Sequence, residues 1–251
     1  MIGWAARILL VLLVALVTMI MTVPMSVVAD RAQGQVPGLG WAQAQGTIWS
    51  GRLSNIAYGP QAVGDVNLKL RPASLIQGRM SYYISLDGPV ASGTSRAYVQ
   101  RGVIGVAALD VTARLEQLVG LNATVRNAGG IARLSNVDVE LNEHGCRSAS
   151  GQLWTDSLVN LGQQYGEELP ELAGGLGCDD GMLVLSLSGA EDNGIEVDIH
   201  LRVGVREPSR LEAEISGASG EIAQALNALG FTVDNGRFVY VRESSLAGSG
   251  G

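Results

Sequence analysis

Residues 182–203 read MLVLSLSGAEDNGIEVDIHLRV, and this stretch decides the fold class. Two segments, 182–188 and 195–203, flank a turn that contains Asn193-Gly194. Asn-Gly tolerates the positive φ angles of a tight turn, and the second segment alternates apolar and polar residues as a strand does. We therefore predict a β-hairpin. Its apolar residues would face the core and its polar residues water or a partner: Ile195, Val197, Ile199, Leu201 and Val203 against Glu196, Asp198, His200 and Arg202.

The same alternation recurs along the chain, at residues 66–71, 137–142 and 211–216. Glycine is abundant at 34 residues, proline is scarce at 7, and aromatic residues make up only 5%. Many short strands joined by glycine turns give this profile, whereas a helical bundle does not. We predict a mainly β fold, an antiparallel β-rich domain built as a curved sheet or a sandwich, with one or two short helices. The helical candidates are residues 72–78, 153–173 and 219–229.

Two internal echoes bear on the domain organisation. Arg52-Leu-Ser-Asn-Ile56 recurs as Arg133-Leu-Ser-Asn-Val137, an offset of 133 − 52 = 81 residues. Gly46-x-x-Trp49 recurs as Gly151-x-x-Trp154, but at 154 − 49 = 105 residues. We interpret the echoes as two related halves, residues 45–128 and 129–243, with an insertion between them. Chance similarity among β sequences is the alternative. Residues 46–51 and 52–58 are predicted to be two successive strands.

The N-terminal stretch carries no charge between Arg7 and Asp30, and residues 8–29 are almost wholly apolar. About 20 apolar residues suffice to cross a bilayer as a helix. Trp4 and Arg7 stand where an interfacial aromatic and a retained cytoplasmic cation are expected. We predict a transmembrane helix over 8–29, with residues 1–7 in the cytoplasm and the rest exported. A connector at 30–44, the domain at 45–243 and a disordered tail at 244–251 would follow.

A cleaved secretory signal is the alternative for this stretch. Pro24 and the small-residue ending at Ala29 are compatible with one. The apolar run is longer than the roughly 7–15 residues of a signal's core, which favours an uncleaved anchor. Both interpretations place the domain outside the cytoplasm.

The two cysteines, Cys146 and Cys178, both lie in the exported part. An even number of cysteines in an oxidising compartment predicts one disulfide. Two buried thiols are the alternative. A metal site would need more ligands, and only His144 lies near in sequence.

The remaining composition excludes several function classes. The net charge is −7 and no basic cluster is present, so we expect no nucleic-acid partner. The chain has two histidines and lacks the nucleophile elbow, the phosphate loop, the dinucleotide fingerprint and the zinc-protease motif. Its acidic clusters lack the spacing of a calcium loop. We predict no catalytic residue, no cofactor and no metal.

Several short motifs resemble protein N of the bacterial type II secretion system. They are Gly46-Thr-Ile-Trp49-Ser-Gly51, Arg71-Pro72-Ala-Ser-Leu75, Cys146-x₄-Gly151-x₂-Trp154-Thr155, Leu172-x-Gly174-x-Leu176-x-Cys178-Asp179 and Leu226-x₂-Leu229-Gly230. The matches run from about residue 40 to 242. The chain departs from the family pattern at Lys69-Leu70, where an aromatic is expected, and in its Gln- and Gly-rich segment before the first strand.

The resemblance implies a non-enzymatic protein of the bacterial inner membrane whose domain stands in the periplasm. It would assist the apparatus that exports folded proteins across the outer membrane. The implied partners are the inner-membrane platform proteins, with the outer-membrane secretin as a further candidate. The second hypothesis is an AsmA-like β-groove protein that binds or transports lipid. An apolar face that is open rather than packed would favour this lipid hypothesis, and a filled core would favour the first.

Overall fold

The computed structural model describes residue 18 and residues 22–34, 36, 38–119, 123–204 and 207–244. Fifteen strands lie within these residues and belong to a single antiparallel sheet. They are β1 Leu39–Gly40, β2 Gln43–Thr47, β3 Ser50–Tyr58, β4 Gln61–Leu70, β5 Met80–Asp87, β6 Ala91–Gln100, β7 Val103–Arg114, β8 Ile131–Asn142, β9 Gly145–Thr155, β10 Leu172–Asp179, β11 Met182–Ala190, β12 Glu196–Val203, β13 Ser209–Ser216, β14 Thr232–Asp234 and β15 Arg237–Ser244.

Short helices connect or cover the strands. They are α1 Met25–Gln33, α2 Pro72–Ile76, α3 Ala123–Ala128, α4 Ser157–Tyr165 and α5 Gly220–Ala228, with a 3₁₀ turn at Leu115–Gln117. The prediction of a mainly β, antiparallel fold is confirmed, and the described residues contain five short α-helices where one or two were expected. The sheet is continuous, so of the two architectures expected the structure shows the single sheet.

The strands form a meander. From β3 to β12 each strand pairs with the strands immediately before and after it in sequence. At one edge, β1 and β2 both pair with β3, which pairs with β4 on its other side. At the other end, β15 lies between β13 and the edge strand β14.

The hairpin at 182–203 forms as predicted. β11 and β12 pair without interruption from Leu183↔Val203 to Ala190↔Glu196. The Glu191 N–H donates to the Ile195 carbonyl at 3.0 Å, which closes the turn. Val197 is only 2% exposed, and its polar neighbours on β12 are exposed. The alternation in the sequence therefore corresponds to a buried and a solvated side of the strand.

Directly paired residues share a face of a sheet, so the register defines two faces. The apolar face carries mainly aliphatic side chains on successive strands: Leu68, Ile84, Ala97, Val106, Val139, Leu153, Leu185, Ile199, Leu211 and Tyr240 are representative. The polar face carries their sequence neighbours, including Lys69, Tyr83, Arg96, Glu140, Trp154, Ser186, His200 and Glu212.

Helices α4 and α5 cover the apolar face of the C-terminal strands. Ile222 and Leu226 of α5 contact the strand residues Leu187, Val197 and Phe238, and these residues form the buried core. Leu158 of α4 packs against the same cluster. The predicted helix at 219–229 is confirmed, and the predicted insertion at 153–173 is helical over Ser157–Tyr165. The two ends of that insertion belong to β9 and β10, because residues 153–155 pair with residues 172–174, and residues 166–171 form a loop.

The apolar face is less covered on the strands nearer the N-terminus. Met80, Val99 and Ile104 lie directly opposite one another on β5, β6 and β7. Their exposed fractions are 50%, 50% and 59%. The apolar face is therefore filled at the C-terminal strands and open at one end of β5–β7.

The strand expected over residues 46–51 is wrong. Gly46 pairs directly with Gly51, and Ile48 and Trp49 form the turn of the β2–β3 hairpin. Gly46 has a φ of 86°, a conformation that glycine adopts without strain. Ile48 and Trp49 are residue types common in strands, so the sequence pattern predicted a strand where the structure has a turn.

Helix α1 spans the expected boundary between anchor and connector at residues 29 and 30. Met25 and Ala29 are buried, and Met25 Cγ lies 2.8 Å from the point where a Cβ on Gly51 would stand. The Ile48 N–H donates to the Val23 carbonyl at 3.1 Å. The expected connector also contains β1 and the start of β2, both of which pair with β3.

Among the described residues, none of the helices has the length and hydropathy needed to cross a membrane. Most of the predicted anchor, with Trp4 and Arg7, lies outside the described residues. Asp30 is exposed on α1. Of the expected tail, Ser244 ends β15 and residues 245–251 lie outside the described part.

Candidate interaction surfaces

The first group of family-motif residues meets at one end of the sheet. The Leu70 N–H donates to the Trp49 carbonyl at 2.9 Å, which links the β2–β3 turn to the start of α2. Pro72 begins α2, where its fixed φ suits the first helical position, and Leu75 is 40% exposed on the same helix. We call this region, formed by the β2–β3 turn, α2 and the start of β5, the motif end.

The second group of motif residues lies on β9 and β10. A Cβ on Gly174 would stand 1.8 Å from the Ser186 carbonyl oxygen, so only glycine fits there. The indole Nε1–H of Trp154 donates to Glu171 Oε2 at 2.9 Å on the polar face, and the Arg133 guanidinium lies 5.8 Å from its ring. Gly151 has a φ of 141° and lies against Val137. The motif residues therefore form two groups on different strands.

The predicted disulfide is confirmed. Cys146 and Cys178 are bonded, with their Cα atoms 5.7 Å apart. The bond joins the start of β9 to the end of β10, beyond the residues over which those strands pair. The Cys146 N–H also donates to the Gly181 carbonyl in the β10–β11 turn at 2.7 Å.

The two histidines lie where the sequence placed them. His144 is exposed in the β8–β9 turn, and its Nδ1 is 3.8 Å from Glu143. His200 Nδ1 lies 3.0 Å from Ser186 Oγ on the polar face. The carboxylate across from it, Glu212, bonds to Arg210 instead. Among the described residues no group of three potential metal ligands is found.

Sequence reasoning missed a recurring device in which an aspartate caps a β-bulge. Asn55, Ala108 and Asn136 have positive φ angles of 52°, 47° and 49° within strands. Each donates its backbone N–H to an aspartate on the neighbouring strand, at 2.8 to 2.9 Å. The acceptors are Asp65, Asp138 and Asp110 respectively.

The echoed pentapeptides take part in this device. In both copies the asparagine is left-handed and the next residue, Ile56 or Val137, is buried. In both copies a glycine of positive φ stands opposite, Gly64 or Gly151. Asn adopts this conformation more readily than most non-glycine residues, so the asparagine of each pentapeptide is a signal in the sequence for the bulge. The Gly-x-x-Trp echo is not equivalent, because Trp49 lies in a turn and Trp154 in a strand.

Asp65 also forms an ion pair. Arg52 Nη2 lies 2.6 Å from Asp65 Oδ2, and the Asn55 N–H reaches Oδ1 at 2.8 Å. These contacts lower the pKa of Asp65 below its usual 3.8. The hydrogen bond from Arg52 is the main cause and the one from the Asn55 backbone is the second.

Tyr98 is the centre of a second polar arrangement on the polar face. Its hydroxyl donates to Glu140 Oε1 at 2.6 Å, and the Arg79 guanidinium lies 3.4 Å from its ring centroid. The ring covers Gly105, where a Cβ would stand 2.2 Å from it. Burial, followed by the bond to Glu140, raises the pKa of Tyr98 above its usual 10.0.

Comparison with known families gives a match to the model described as type II secretion system, protein N, over residues 37–241. The chain belongs to this family. The matched residues begin just before β1 and end within β15, so they include the whole sheet apart from its last few residues. As a type II secretion protein N the chain is a component of a protein-secretion system. Comparisons with curated proteins and with solved structures gave no match.

Proposed function

We propose that this chain is a non-enzymatic component of the type II secretion apparatus, held in the inner membrane by residues 8–29 with the domain at 45–243 in the periplasm. The observation that supports the proposal is the family match over residues 37–241. The disulfide between Cys146 and Cys178 agrees with a domain that folds in an oxidising compartment.

The proposed partners of this chain are the inner-membrane platform proteins, with the outer-membrane secretin as a further candidate. The proposed contact surface is the polar face of the sheet. β12 presents a row of exposed charged residues there, Glu196, Asp198 and Arg202. Charged rows of this kind set the orientation and the rate of association more than the affinity.

In-cell photocrosslinking tests this assignment. A photoreactive residue is placed at Asp198 on the polar face, and at Gln224 on α5, which lies on the other side of the sheet, as the matched control. We expect platform subunits to be captured from Asp198 and not from Gln224. Asp138 is unsuitable as a site because its carboxylate holds the Ala108 N–H.

Deletion of the gene should lower export of the system's substrates, and mass spectrometry of the purified protein should find residues 8–29 retained. Normal export in the deletion strain, together with no platform subunit captured from Asp198, would refute the secretion role. A mature protein that starts after Ala29 would refute the anchor alone.

A second candidate function is lipid binding on the apolar face. The observation that favours it is the open row of Met80, Val99 and Ile104. The filled core under α4 and α5 favours the first function, so the two candidates use different parts of the sheet.

Replacement of Ile104 by Glu tests the lipid function. Val233 on β14 has the same exposed fraction, 59%, and provides the matched control, Val233→Glu. Lipid bound to the purified full-length protein should fall with Ile104→Glu and not with Val233→Glu. Equal lipid content in both variants and the wild type would remove this candidate.

A further inference from the structure

A cavity of about 340 Å³ lies at the motif end, between α2 and the polar face. Three arginines line it, Arg71, Arg79 and Arg96, together with the polar side chains of Ser74, Gln77 and Ser81. Arg71 and Arg79 lie on either side of α2, and Arg96 lies on β6. The Arg71 N–H donates to the Ser81 carbonyl at 2.9 Å and the Arg79 N–H to the Ser74 carbonyl at 3.0 Å, which holds the two ends of the α2 loop together.

The three arginines differ in their pairing from five other arginines of the sheet. In the part of the chain that the structure describes, none of them forms an ion pair, whereas Arg52, Arg147, Arg202, Arg210 and Arg237 do. Glu140, the carboxylate that accepts from the Tyr98 hydroxyl, is also paired with Arg147. Within the described residues three arginines therefore line one cavity without an ion pair, in a chain of net charge −7.

Arg79 is the most constrained of the three. Its guanidinium stacks on the Tyr98 ring, and among the described residues its buried Nε has no hydrogen-bond partner. A buried donor without an acceptor is destabilising, and an oxyanion bound in the cavity would supply the acceptor. Stacking also orients the planar group, which favours bidentate recognition of an oxyanion.

Apolar side chains are exposed beside the cavity. Ile76 is 91% exposed on α2, the helix that contributes Ser74 to the lining. Leu75, on the same helix, is 40% exposed. Cations that bind phosphate beside apolar residues that enter the acyl region are the combination found at phospholipid surfaces.

We propose that this cavity binds a phosphate group through Arg71, Arg79 and Arg96, and that an anionic phospholipid is its source. The motif end also receives the segment that leads from the N-terminal apolar stretch, since Val23 bonds to the β2–β3 turn. The site is separate from the apolar row at Ile104 and does not depend on the secretion role.

Calorimetry on the full-length protein in a phosphate-free detergent tests the proposal. The ligands are dihexanoyl phosphatidylglycerol, dihexanoyl phosphatidylcholine and inorganic phosphate. The site variant is Arg71→Gln with Arg79→Gln. The matched control is Arg114→Gln, because Arg114 is an exposed arginine at the end of β7 that does not line the cavity. Because a hydrogen bond to a charged group is worth about a factor of ten or more, the site variant should bind phosphatidylglycerol at least roughly tenfold more weakly.

Phosphatidylglycerol that binds more tightly than the other two ligands, with loss in the site variant only, supports the lipid source. Inorganic phosphate that binds as tightly as phosphatidylglycerol, with the same loss, supports the phosphate site with free phosphate as its ligand. Equal affinities in the wild type and the site variant for all three ligands overturn the proposal.

A measurement on the wild type guards against a misfolded variant. Phenylglyoxal modifies accessible arginines, and mass spectrometry identifies which ones. Phosphatidylglycerol should slow the modification of Arg71 and Arg96 and leave Arg114 unchanged. Equal rates with and without the lipid would also overturn the proposal.

Discussion

At the scale of single residues, the sheet relies on aspartates that hold its bulges. A strand residue with positive φ turns its N–H away from the regular ladder, so the proton needs another acceptor. Asp65, Asp110 and Asp138 supply it. The last two act reciprocally, because Asp138 of β8 accepts from β7 and Asp110 of β7 accepts from β8. The paired bulges are thereby fixed in register with each other.

Replacement of Asp65 by Asn should lower the melting temperature at neutral pH. The pKa of Asp65 is below its usual 3.8 in the folded state, so its charge stabilises the fold above that pH. This stabilisation is lost as the pH falls through the folded-state pKa. Thermal melts from pH 7 to pH 2 should therefore show a difference from wild type that closes only in the acid range.

Asp198→Asn is the control for Asp65→Asn, because Asp198 is exposed on the same face with no bulge to cap. Its melting temperature should track the wild type. A difference for Asp65→Asn that is constant from pH 7 to pH 2 would contradict the ionic role.

Replacement of Tyr98 by Phe should destabilise the protein by about 1–2 kcal/mol, because the partly buried hydrogen bond from the buried Tyr98 to Glu140 is lost. Urea unfolding measures this. The raised pKa of Tyr98 means that its neutral form is favoured in the fold, so the stabilisation is present below pH 10 and declines as the pH rises through the folded-state pKa.

Tyr83→Phe is the matched control for Tyr98→Phe. Tyr83 lies on the adjacent strand and is 45% exposed, so its substitution should change the unfolding free energy by less than about 0.5 kcal/mol. Equal effects of the two substitutions would mean that the bond to Glu140 does not stabilise the fold.

At the scale of elements, glycine-rich β10 depends on close approach. Gly174 faces the Ser186 carbonyl, whereas Gly177 on the same strand has open space where a Cβ would stand. Gly174→Ala should therefore cost about 1–3 kcal/mol or more of unfolding free energy. Gly177→Ala should stay within about 0.5 kcal/mol of wild type. Chemical denaturation measures the unfolding free energy of both variants. Equal values for the two would show that β10 can move away from β11.

The elements that the sequence predicted are those with strong local signals. The 182–203 hairpin has alternation and an Asn-Gly turn, and α5 has Ser219, a repeating apolar face and Gly230. β9 and β10 lack such a signal, because Ser, Gly and Ala dominate them and their pairing partners define them. The β2–β3 turn was missed because its apolar Ile48 and Trp49 imitate strand residues.

The candidate sites were predictable to different degrees. The disulfide followed from cysteine count and compartment. The cavity of Arg71, Arg79 and Arg96 did not, since only the α2 loop and the β5–β6 pairing bring the three residues together. No spacing in the sequence encodes that convergence.

At the scale of the whole molecule, the disulfide joins parts of the sheet that strand pairing leaves apart. It closes a loop of 32 residues, for which chain entropy predicts about 3–4 kcal/mol of stabilisation. Reduction should therefore lower the denaturation midpoint of the oxidised protein. The double variant Cys146→Ser, Cys178→Ser should melt like the reduced protein.

A reducing agent should have no effect on the double serine variant, which controls for unspecific action of the reagent. An oxidised protein whose unfolding midpoint does not move on reduction would mean that the bond constrains nothing in the unfolded chain.

The meander also governs how the protein is made. Because β3 to β12 each pair with their neighbours in sequence, a growing polypeptide can add one strand at a time in the order of synthesis. Each partly synthesised chain then ends in an edge strand whose N–H and C=O groups are unpaired, and such an edge can pair with another chain and aggregate. The final hairpin ends the addition of strands, because β15 pairs with the exposed edge of β13 and the three-residue β14 becomes the edge strand. The last strand made thus decides when the nascent sheet stops growing.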